Sequence, residues 1–194
     1  MRIINAKFIK SASKKDEFIQ DSLPQIAIVG RSNVGKSSLI NLLTNNSKMA
    51  KTSSTPGRTR LVNYFNINNQ FYIVDLPGYG YHKASKSIAN AWDAVMNDYF
   101  VGNVNLKLVF VLLDSRIEPT ELDKQMLDYL ATHEIPAVII MTKTDKISRS
   151  EVFQNISKIS KEIRFNKDLI IATSALKKQG VERIETLLDE YLKN

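Results

Sequence analysis

The stretch QIAIVGRSNVGKSSLINLLTN, residues 25–45, decides the fold of this 194-residue chain. Residues 25–30 form an apolar run that predicts a buried strand, and residues 36–45 have the apolar spacing of a helix. Between them, residues 30–37 read GRSNVGKS and match the pattern G-x-x-x-x-G-K-S. Because the pattern lies between a strand and a helix, it predicts a loop whose backbone N–H groups bind phosphates.

The residue types in this loop suit a nucleoside triphosphate. Gly30 and Gly35 let the backbone curl closely, Lys36 can reach the β- and γ-phosphates, and the Ser37 hydroxyl can ligate Mg²⁺. The other loop residues are predicted to line the same site, and they are Arg31, Ser32, Asn33 and Val34.

A second element, DLPG at residues 75–78, follows the apolar run FYIVD. Asp75 is expected to hold Mg²⁺ through a water, and the Gly78 N–H is expected to sense the γ-phosphate, with Leu76 and Pro77 between them. Many switch GTPases place Gln after this Gly to orient the attacking water, whereas this chain has Tyr79. A phenol cannot replace a carboxamide, so either the chain does not hydrolyse its nucleotide or another group manages the water.

The polar stretch at residues 46–60 separates these two elements. Thr59 is the candidate whose hydroxyl and carbonyl meet Mg²⁺ and the γ-phosphate, because it closely precedes the next predicted strand; Thr52 and Thr55 are alternatives. Its neighbours are assigned to the same site, and they are Gly57, Arg58, Arg60 and Leu61. Lys36, Thr59 and Asn33 are the catalytic candidates.

TKTD, residues 142–145, predicts recognition of guanine. Asp145 can accept from the N1–H and N2–H₂ groups of guanine, a donor pair that adenine lacks. Lys143 can lie along the base plane, and Thr144 completes the element. Thr142 stands where Asn is commoner, so its hydroxyl can tether the phosphate loop but cannot make two amide hydrogen bonds.

A further short element, TSAL at residues 173–176, follows the last predicted strand. The Ala175 N–H is expected to meet the guanine O6, while Ser174 shapes the turn and Thr173 leads into it.

Strand-like and helical runs alternate along the chain, which predicts an α/β fold with a mostly parallel six-stranded sheet and helices on both faces. The predicted strands lie within 25–30, 61–67, 71–75, 106–114, 137–145 and 168–175. The predicted helices lie within 36–45, 87–100, 119–133, 148–164 and 180–192. Residues 61–67 and 71–75 are expected to form the one antiparallel pair. We expect a single domain over residues 23–194, with residues 1–22 packed on it as an extension.

Composition excludes several classes of protein. The chain has no cysteine, which excludes disulfides and thiolate chemistry and favours a reducing, cytoplasmic location. Its longest apolar run, at 108–113, falls short of the roughly 18 residues of a membrane helix, so no membrane association is expected. The net charge of +7 equals that of residues 22–92, which carry eight Lys and Arg against Asp75. This charge either balances bound nucleotide or forms a nucleic-acid face.

The sequence resembles the bacterial EngB family of TRAFAC-class GTPases, also called YihA or YsxC. The resemblance spans essentially the whole chain and is carried by LPQIAIVGRSNVGKSSLIN (23–41), TPGRTR (55–60), DLPGYGY (75–81), TKTD (142–145) and TSA (173–175). It implies a Ras-like P-loop GTPase domain that binds GTP, GDP and Mg²⁺, acts as a monomer and assists assembly of the large ribosomal subunit. The family is also associated with cell division and septation.

Two other functions fit some of the same residues. The first is an interaction module acting in septation, in which GTP gates protein contacts and hydrolysis is incidental. The second is a P-loop kinase or ATPase, which Asp145 disfavours.

The family resemblance leaves the attacking water without an assigned residue. Asn33 can bind K⁺ against the phosphates, as in GTPases with Asn at this position, or can merely brace the loop. The other candidate is a ribosomal partner that supplies or orders a group on docking. Either arrangement implies slow intrinsic hydrolysis.

Overall fold

The computed structural model describes residues 1–50, 61–80 and 94–193, and these contain seven strands and five helices. The strands are β1 (Ala6–Ala12), β2 (Gln25–Gly30), β3 (Val62–Ile67), β4 (Phe71–Asp75), β5 (Leu106–Asp114), β6 (Ala137–Thr142) and β7 (Ile170–Ala172). The helices are α1 (Lys36–Leu43), α2 (94–100 in its described part), α3 (Glu121–Thr132), α4 (Arg149–Glu162) and α5 (Val181–Leu192).

The strands form one sheet in the order β1-β3-β4-β2-β5-β6-β7. β2 pairs in parallel with β4 and β5, and the parallel pairing continues through β6 to β7. β3 runs antiparallel to both of its neighbours, β1 and β4. The carboxyl ends of β2, β4, β5, β6 and β7 therefore meet at one edge, where ligands bind in open α/β sheets.

The predicted count of six strands and one antiparallel pair is wrong in one respect. The segment AKFIKSA pairs with β3 as a seventh strand, so two antiparallel pairs are present rather than one. Its period-two pattern is interrupted by a register shift between Phe8 and Lys10, and six of its seven residues remain partly or fully exposed because it is an edge strand. A lysine-bearing edge strand resists pairing with other chains, and it lacks the apolar alternation that identifies a strand from sequence.

Apolar cores on both faces of the sheet explain why the central strands are continuous apolar runs. On one face, α2, α3 and α4 bury side chains such as Met96, Leu130 and Ile159. On the other, α1 and α5 bury Ile40 and Leu188. The α/β class and the helices on both faces are confirmed.

The helices begin where the sequence provides their caps. The Ser148 side chain accepts a hydrogen bond from the Glu151 N–H, and the Glu151 carboxylate accepts one from the Ser148 N–H, so the predicted cap of α4 is confirmed. Thr120 and Asp123 form the equivalent capping box of α3. Both helices consequently start within about two residues of the predicted positions.

We predict that Gly180→Ala destabilises the protein more than an alanine at another left-handed glycine. Gly180 has φ +90° at the start of α5, and a Cβ there would lie 2.6 Å from the Ala172 carbonyl oxygen and 2.8 Å from Thr173 Cγ2. Gly102 is a matched control, since it has φ +75° with no heavy atom within 4 Å among the described residues. In urea unfolding we expect a loss of about 1 kcal/mol for Gly102→Ala and at least ~2 kcal/mol more for Gly180→Ala. Equal losses would contradict the close packing of α5 on the 172–174 backbone.

Candidate functional site

The phosphate loop at residues 30–37 is curled by backbone conformations that its sequence permits. Gly35 has φ +118°, and Asn33 adopts the left-handed conformation with φ +62°. A Cβ on Gly30 would lie 2.8 Å from Val34 Cγ1 and 3.0 Å from the Leu112 carbonyl oxygen. Val34 is buried, so the turn is anchored in the core, and its N–H donates to the Arg31 carbonyl at 3.1 Å.

The TKTD loop at residues 142–145 holds the phosphate loop from the neighbouring strand. The Thr142 hydroxyl donates to the Val34 carbonyl at 2.7 Å, which is the tether expected from sequence. Lys143 adopts φ +59°, and its Nζ donates to the Asn33 carbonyl at 2.9 Å. The two loops are therefore joined by two hydrogen bonds from adjacent residues.

The TKTD loop is also joined to the turn that follows β7. Ser174 Oγ donates to Asp145 Oδ1 at 2.6 Å, and Thr144 Oγ1 donates to the Thr173 carbonyl at 2.9 Å. The Asp145 side chain is 6% exposed, and its pKa is lowered, chiefly because of the Ser174 hydrogen bond. Ala175 is exposed beside it. The carboxylate is thus ionised and fixed, as an acceptor for the donor edge of guanine must be.

Asp75 lies at the carboxyl end of β4, where it faces the phosphate loop. Lys36 Nζ is 4.0 Å from Asp75 Oδ1, and that buried oxygen has no hydrogen-bond partner among the described residues. Burial raises the pKa of Asp75, with Lys36 opposing that effect. A buried carboxylate oxygen without a partner is costly, and a hydrated Mg²⁺ would supply one. Asp75 therefore fits a Mg²⁺ site. Of the other two predicted ligands, Ser37 lies in the first turn of α1 next to Lys36, and Thr59 lies outside the described residues.

The DLPG loop continues β4 along the phosphate loop. The Ser32 N–H donates to the Tyr79 carbonyl at 3.0 Å, and the Tyr79 N–H donates to the Gly30 carbonyl at 3.3 Å. A Cβ on Gly78 would lie 3.1 Å from Lys36 Nζ and 3.2 Å from the Ser32 nitrogen. Gly78 therefore lies directly against the lysine that is predicted to reach the γ-phosphate.

The Tyr79 side chain is committed to α3. Its hydroxyl donates to Asp123 Oδ1 at 2.8 Å, and both side chains are buried. Asp123 Oδ2 accepts from the N–H and hydroxyl of Thr120 within the capping box. Burial, with the Asp123 carboxylate, holds the pKa of Tyr79 far above its ordinary value, so Tyr79 remains a hydrogen-bond donor to the helix.

Other predicted site residues differ in how they can contribute. Leu76 is 1% exposed in the core, so only its backbone can face a ligand, and its N–H donates to the Ile28 carbonyl. Arg31 lies against the DLPG side of the loop, with its Nε 3.5 Å from where a Gly80 Cβ would be. Leu61 is half-buried just before β3, and Pro77 lies in the DLPG loop. The candidates outside the described residues are Thr52, Thr55, Gly57, Arg58, Thr59 and Arg60.

Two aspartates at the site were not identified from sequence. Asp123 anchors Tyr79, and Asp114 accepts a hydrogen bond from Lys143 Nζ at 2.9 Å. Both line a cavity of about 210 Å³ beside the phosphate loop. Asp114 could have been identified from sequence, since it ends a buried parallel strand at the edge where ligands bind. Asp123 could not, because the apolar spacing of a helix does not reveal which loop packs against the capping residues of that helix.

Comparisons with known proteins agree with this geometry. A family model described as "50S ribosome-binding GTPase" matches residues 25–143. The probable GTP-binding protein EngB of Clostridium kluyveri is 46% identical over 98% of this chain and 100% of its own length. That of Mesoplasma florum is 47% identical over 90% of this chain and 89% of its own length. The chain belongs to the EngB family of GTP-binding proteins.

EngB membership identifies the chain as a GTPase that binds GTP and GDP, and solved structures agree on its fold. The crystal structure of a probable GTP-binding protein EngB has a TM-score of 0.75 at 24% identity, covering 87% of this chain and 98% of that one. Era in complex with MgGDPNP and nucleotides 1506–1542 of 16S ribosomal RNA has a TM-score of 0.67 at 24% identity, covering 89% and 57%. Among the described residues of this EngB protein, no helix has the length and apolar character needed to cross a membrane.

We predict that Tyr79→Phe weakens the fold without removing catalysis. The substitution leaves the buried Asp123 carboxylate with one donor fewer, so the free energy of unfolding should fall by about 1–3 kcal/mol. Tyr129→Phe is the matched control, because the buried Tyr129 hydroxyl has no hydrogen-bond partner among the described residues. At saturating GTP we expect kcat of Tyr79→Phe to stay within about tenfold of wild type. A loss of roughly 10²–10⁴ would instead show that the phenol takes part in proton transfer.

We predict that Asp145→Asn changes the base preference. The amide can accept from N1–H but no longer accepts from N2–H₂, so GDP affinity should fall by about a hundredfold or more. The new NH₂ group matches the 2-carbonyl of xanthine, so affinity for xanthosine diphosphate should rise. Competition against a fluorescent guanine nucleotide measures both. Equal loss for the two bases would mean that Asp145 acts on the loop rather than on the base.

Proposed function

We propose that this protein is a Mg²⁺-dependent GTPase switch that assists assembly of the large ribosomal subunit in the cytoplasm and is needed for normal cell division and septation. The observation that carries the ribosomal partner is the charge of residues 22–92, with eight Lys and Arg against Asp75. This segment of the sequence includes the phosphate loop and the DLPG loop, so in this proposal the loops that respond to the nucleotide belong to the same segment as the charge that would attract a polyanion. The description of the family model, a 50S ribosome-binding GTPase, supports the same partner.

Each residue around the nucleotide has a distinct task in this proposal. The loop amides and Lys36 hold the β- and γ-phosphates, while Asp145 and the Ala175 N–H select guanine. Ser37, Thr59 and Asp75 would hold Mg²⁺, which when bound neutralises charge on the phosphate oxygens. The buried Oδ1 of Asp75, which has no hydrogen-bond partner within residues 1–50, 61–80 and 94–193, supports this assignment.

The packing of Gly78 on Lys36 supports a switch. A γ-phosphoryl group bonded to both Lys36 and the Gly78 N–H has to lie between them, where the Gly78 backbone now approaches closely. GTP would therefore move the DLPG loop away from Lys36, whereas GDP leaves it in place. Because the Tyr79 hydroxyl is hydrogen-bonded to Asp123 on α3, this bond would resist the movement of the DLPG loop. The movement would also displace the start of α3.

The attacking water would be handled by K⁺ at Asn33 or by a group that the ribosome supplies. Asn33 is exposed at the rim of the phosphate loop, where a cation could approach the phosphates. Such a cation would take the place of an arginine finger, which contributes roughly 10³–10⁵ in rate. With Tyr79 held on α3, intrinsic hydrolysis would be slow.

The test is GTP hydrolysis measured in K⁺ and in Na⁺, each with and without large-subunit particles. We expect slow turnover alone and an acceleration of at least about tenfold with the particles, because docking would complete the site. Small-subunit particles at equal concentration are the control for general RNA charge. Sedimentation with large subunits should be stronger with a GTP analogue than with GDP.

The variant Asn33→Ala distinguishes the two candidates for activating the attacking water, which are K⁺ at Asn33 and a group supplied by the ribosome. If K⁺ acts at Asn33, the variant should lose the difference between K⁺ and Na⁺ while GDP binding remains. If the rate is the same in both salts and in the variant, the K⁺ assignment is wrong and the docked partner remains. Nucleotide-dependent binding to septation proteins without acceleration by large subunits would favour a gated interaction module over the ribosomal proposal.

A further inference from the structure

Asp114 lies beside the guanine-recognition loop although it is outside the five nucleotide-binding motifs. It ends β5 in register with Thr142 at the end of β6, and the Ser115 N–H donates to the Thr142 carbonyl at 3.0 Å. The parallel pairing therefore places the Asp114 carboxylate next to Lys143, the residue that directly follows β6.

Two basic side chains hold this carboxylate. Lys143 Nζ donates to Asp114 Oδ2 at 2.9 Å, and the same Nζ donates to the Asn33 carbonyl at 2.9 Å. Arg116 Nε donates to Oδ1 at 2.9 Å and Arg116 Nη2 to Oδ2 at 2.7 Å, which is a bidentate arrangement. The side chain of Asp114 is only 10% exposed, whereas that of Arg116 is 47% exposed. Arg116 therefore orients the carboxylate from the solvent side, and the carboxylate orients Lys143 on the inner side.

The charge of Asp114 persists despite its burial. Burial acts to raise the pKa of this carboxyl, but hydrogen bonds from Arg116 and Lys143 outweigh it and leave the pKa below its ordinary value. The carboxylate consequently remains a charged acceptor for Lys143 throughout the neutral range.

We propose that Asp114 is a positioning residue for guanine-nucleotide binding, because it holds the Lys143 ammonium against the Asn33 carbonyl. With the ammonium fixed, the aliphatic stem of Lys143 lies ready along the base plane, and the turn at Asn33 is held in its left-handed conformation. A free lysine loses much rotamer freedom when it is ordered, and Asp114 makes that loss occur during folding instead of during binding. This role rests on the proposed assignment of Lys143 and the phosphate loop to the nucleotide.

The contact also accounts for the unusual Thr142. An Asn at that position could make two amide hydrogen bonds to neighbouring loops, whereas Thr142 has a single hydroxyl proton, which lies between the Val34 carbonyl at 2.7 Å and the Leu113 carbonyl of β5 at 3.2 Å. The pair Asp114–Lys143 adds a second connection from the same loop to the phosphate loop, through Asn33.

A double-mutant cycle between Asp114→Asn and Lys143→Met tests this role. Met keeps an unbranched side chain along the base plane but removes the ammonium, so Asp114 no longer has an ammonium at position 143 to position. We expect Asp114→Asn to raise the GDP dissociation constant about tenfold in the wild-type background and less than about twofold in the Lys143→Met background. The KM for GTP should rise with Asp114→Asn while kcat changes little, because ground-state and transition-state binding are lost together. Asp128→Asn, an exposed change of equal charge on α3, should leave all values unchanged.

Either of two results would overturn the proposal: an equal effect of Asp114→Asn in both backgrounds, or no effect in the wild-type background. If Asp114→Asn does not fold, as judged by thermal melting, Arg116→Ala replaces it. This variant leaves the carboxylate but removes its orienting fork, and should raise the dissociation constant about threefold only when Lys143 is present. A wild-type chain that fails to bind GDP would overturn the assignment of the whole site, which is a different result from GDP binding that is indifferent to Asp114.

Discussion

The parallel pairing of β2 with both β4 and β5 is the constraint on which the site depends. It places the phosphate loop at the centre of the carboxyl edge, with the DLPG loop on one side and Asp114 on the other. The apolar cores on both faces fix the sheet, so these loops start from a rigid base. Short loops on such a base can hold side chains in place, as the turn after β7 holds Asp145 through the Ser174 hydroxyl.

Lys143 is the point at which the separate loops become one site. Its ammonium joins β5 to the phosphate loop, while its neighbours join the same loop to Val34 and to the turn at Thr173. Thr142 makes fewer hydrogen bonds than an Asn could make there, but Lys143 and Thr144 add further hydrogen bonds from the same loop. The connections of the TKTD loop are distributed over several hydroxyl and charged hydrogen bonds. The bonds to Val34, Asp114 and Thr173 are partly or fully buried, where hydrogen bonds are stronger, whereas the bond to Asn33 is exposed.

Much of the fold and site could be predicted because it depends on local sequence. The strand-loop-helix pattern at residues 25–45, the cap at Ser148 and the Thr142 tether follow from short stretches. The edge strand β1 was missed because pairing with β3, and not its own apolar pattern, makes it a strand. The Tyr79–Asp123 contact was also missed, since it joins residues 44 positions apart that meet only in the folded chain.

Tyr79 shows why the two kinds of information have to be combined. From sequence alone, Tyr79 indicates only that a water-orienting carboxamide is missing, since Gln is common at this position. In the structure it is a buried connection: its backbone pairs with the phosphate loop and its hydroxyl closes the cap of α3. A side chain used in this way cannot also orient water in the same conformation. Under the proposed function, Tyr79 therefore links the DLPG loop to α3, and intrinsic hydrolysis is slow as a result. The missing catalytic group is then supplied at the exposed rim of the phosphate loop.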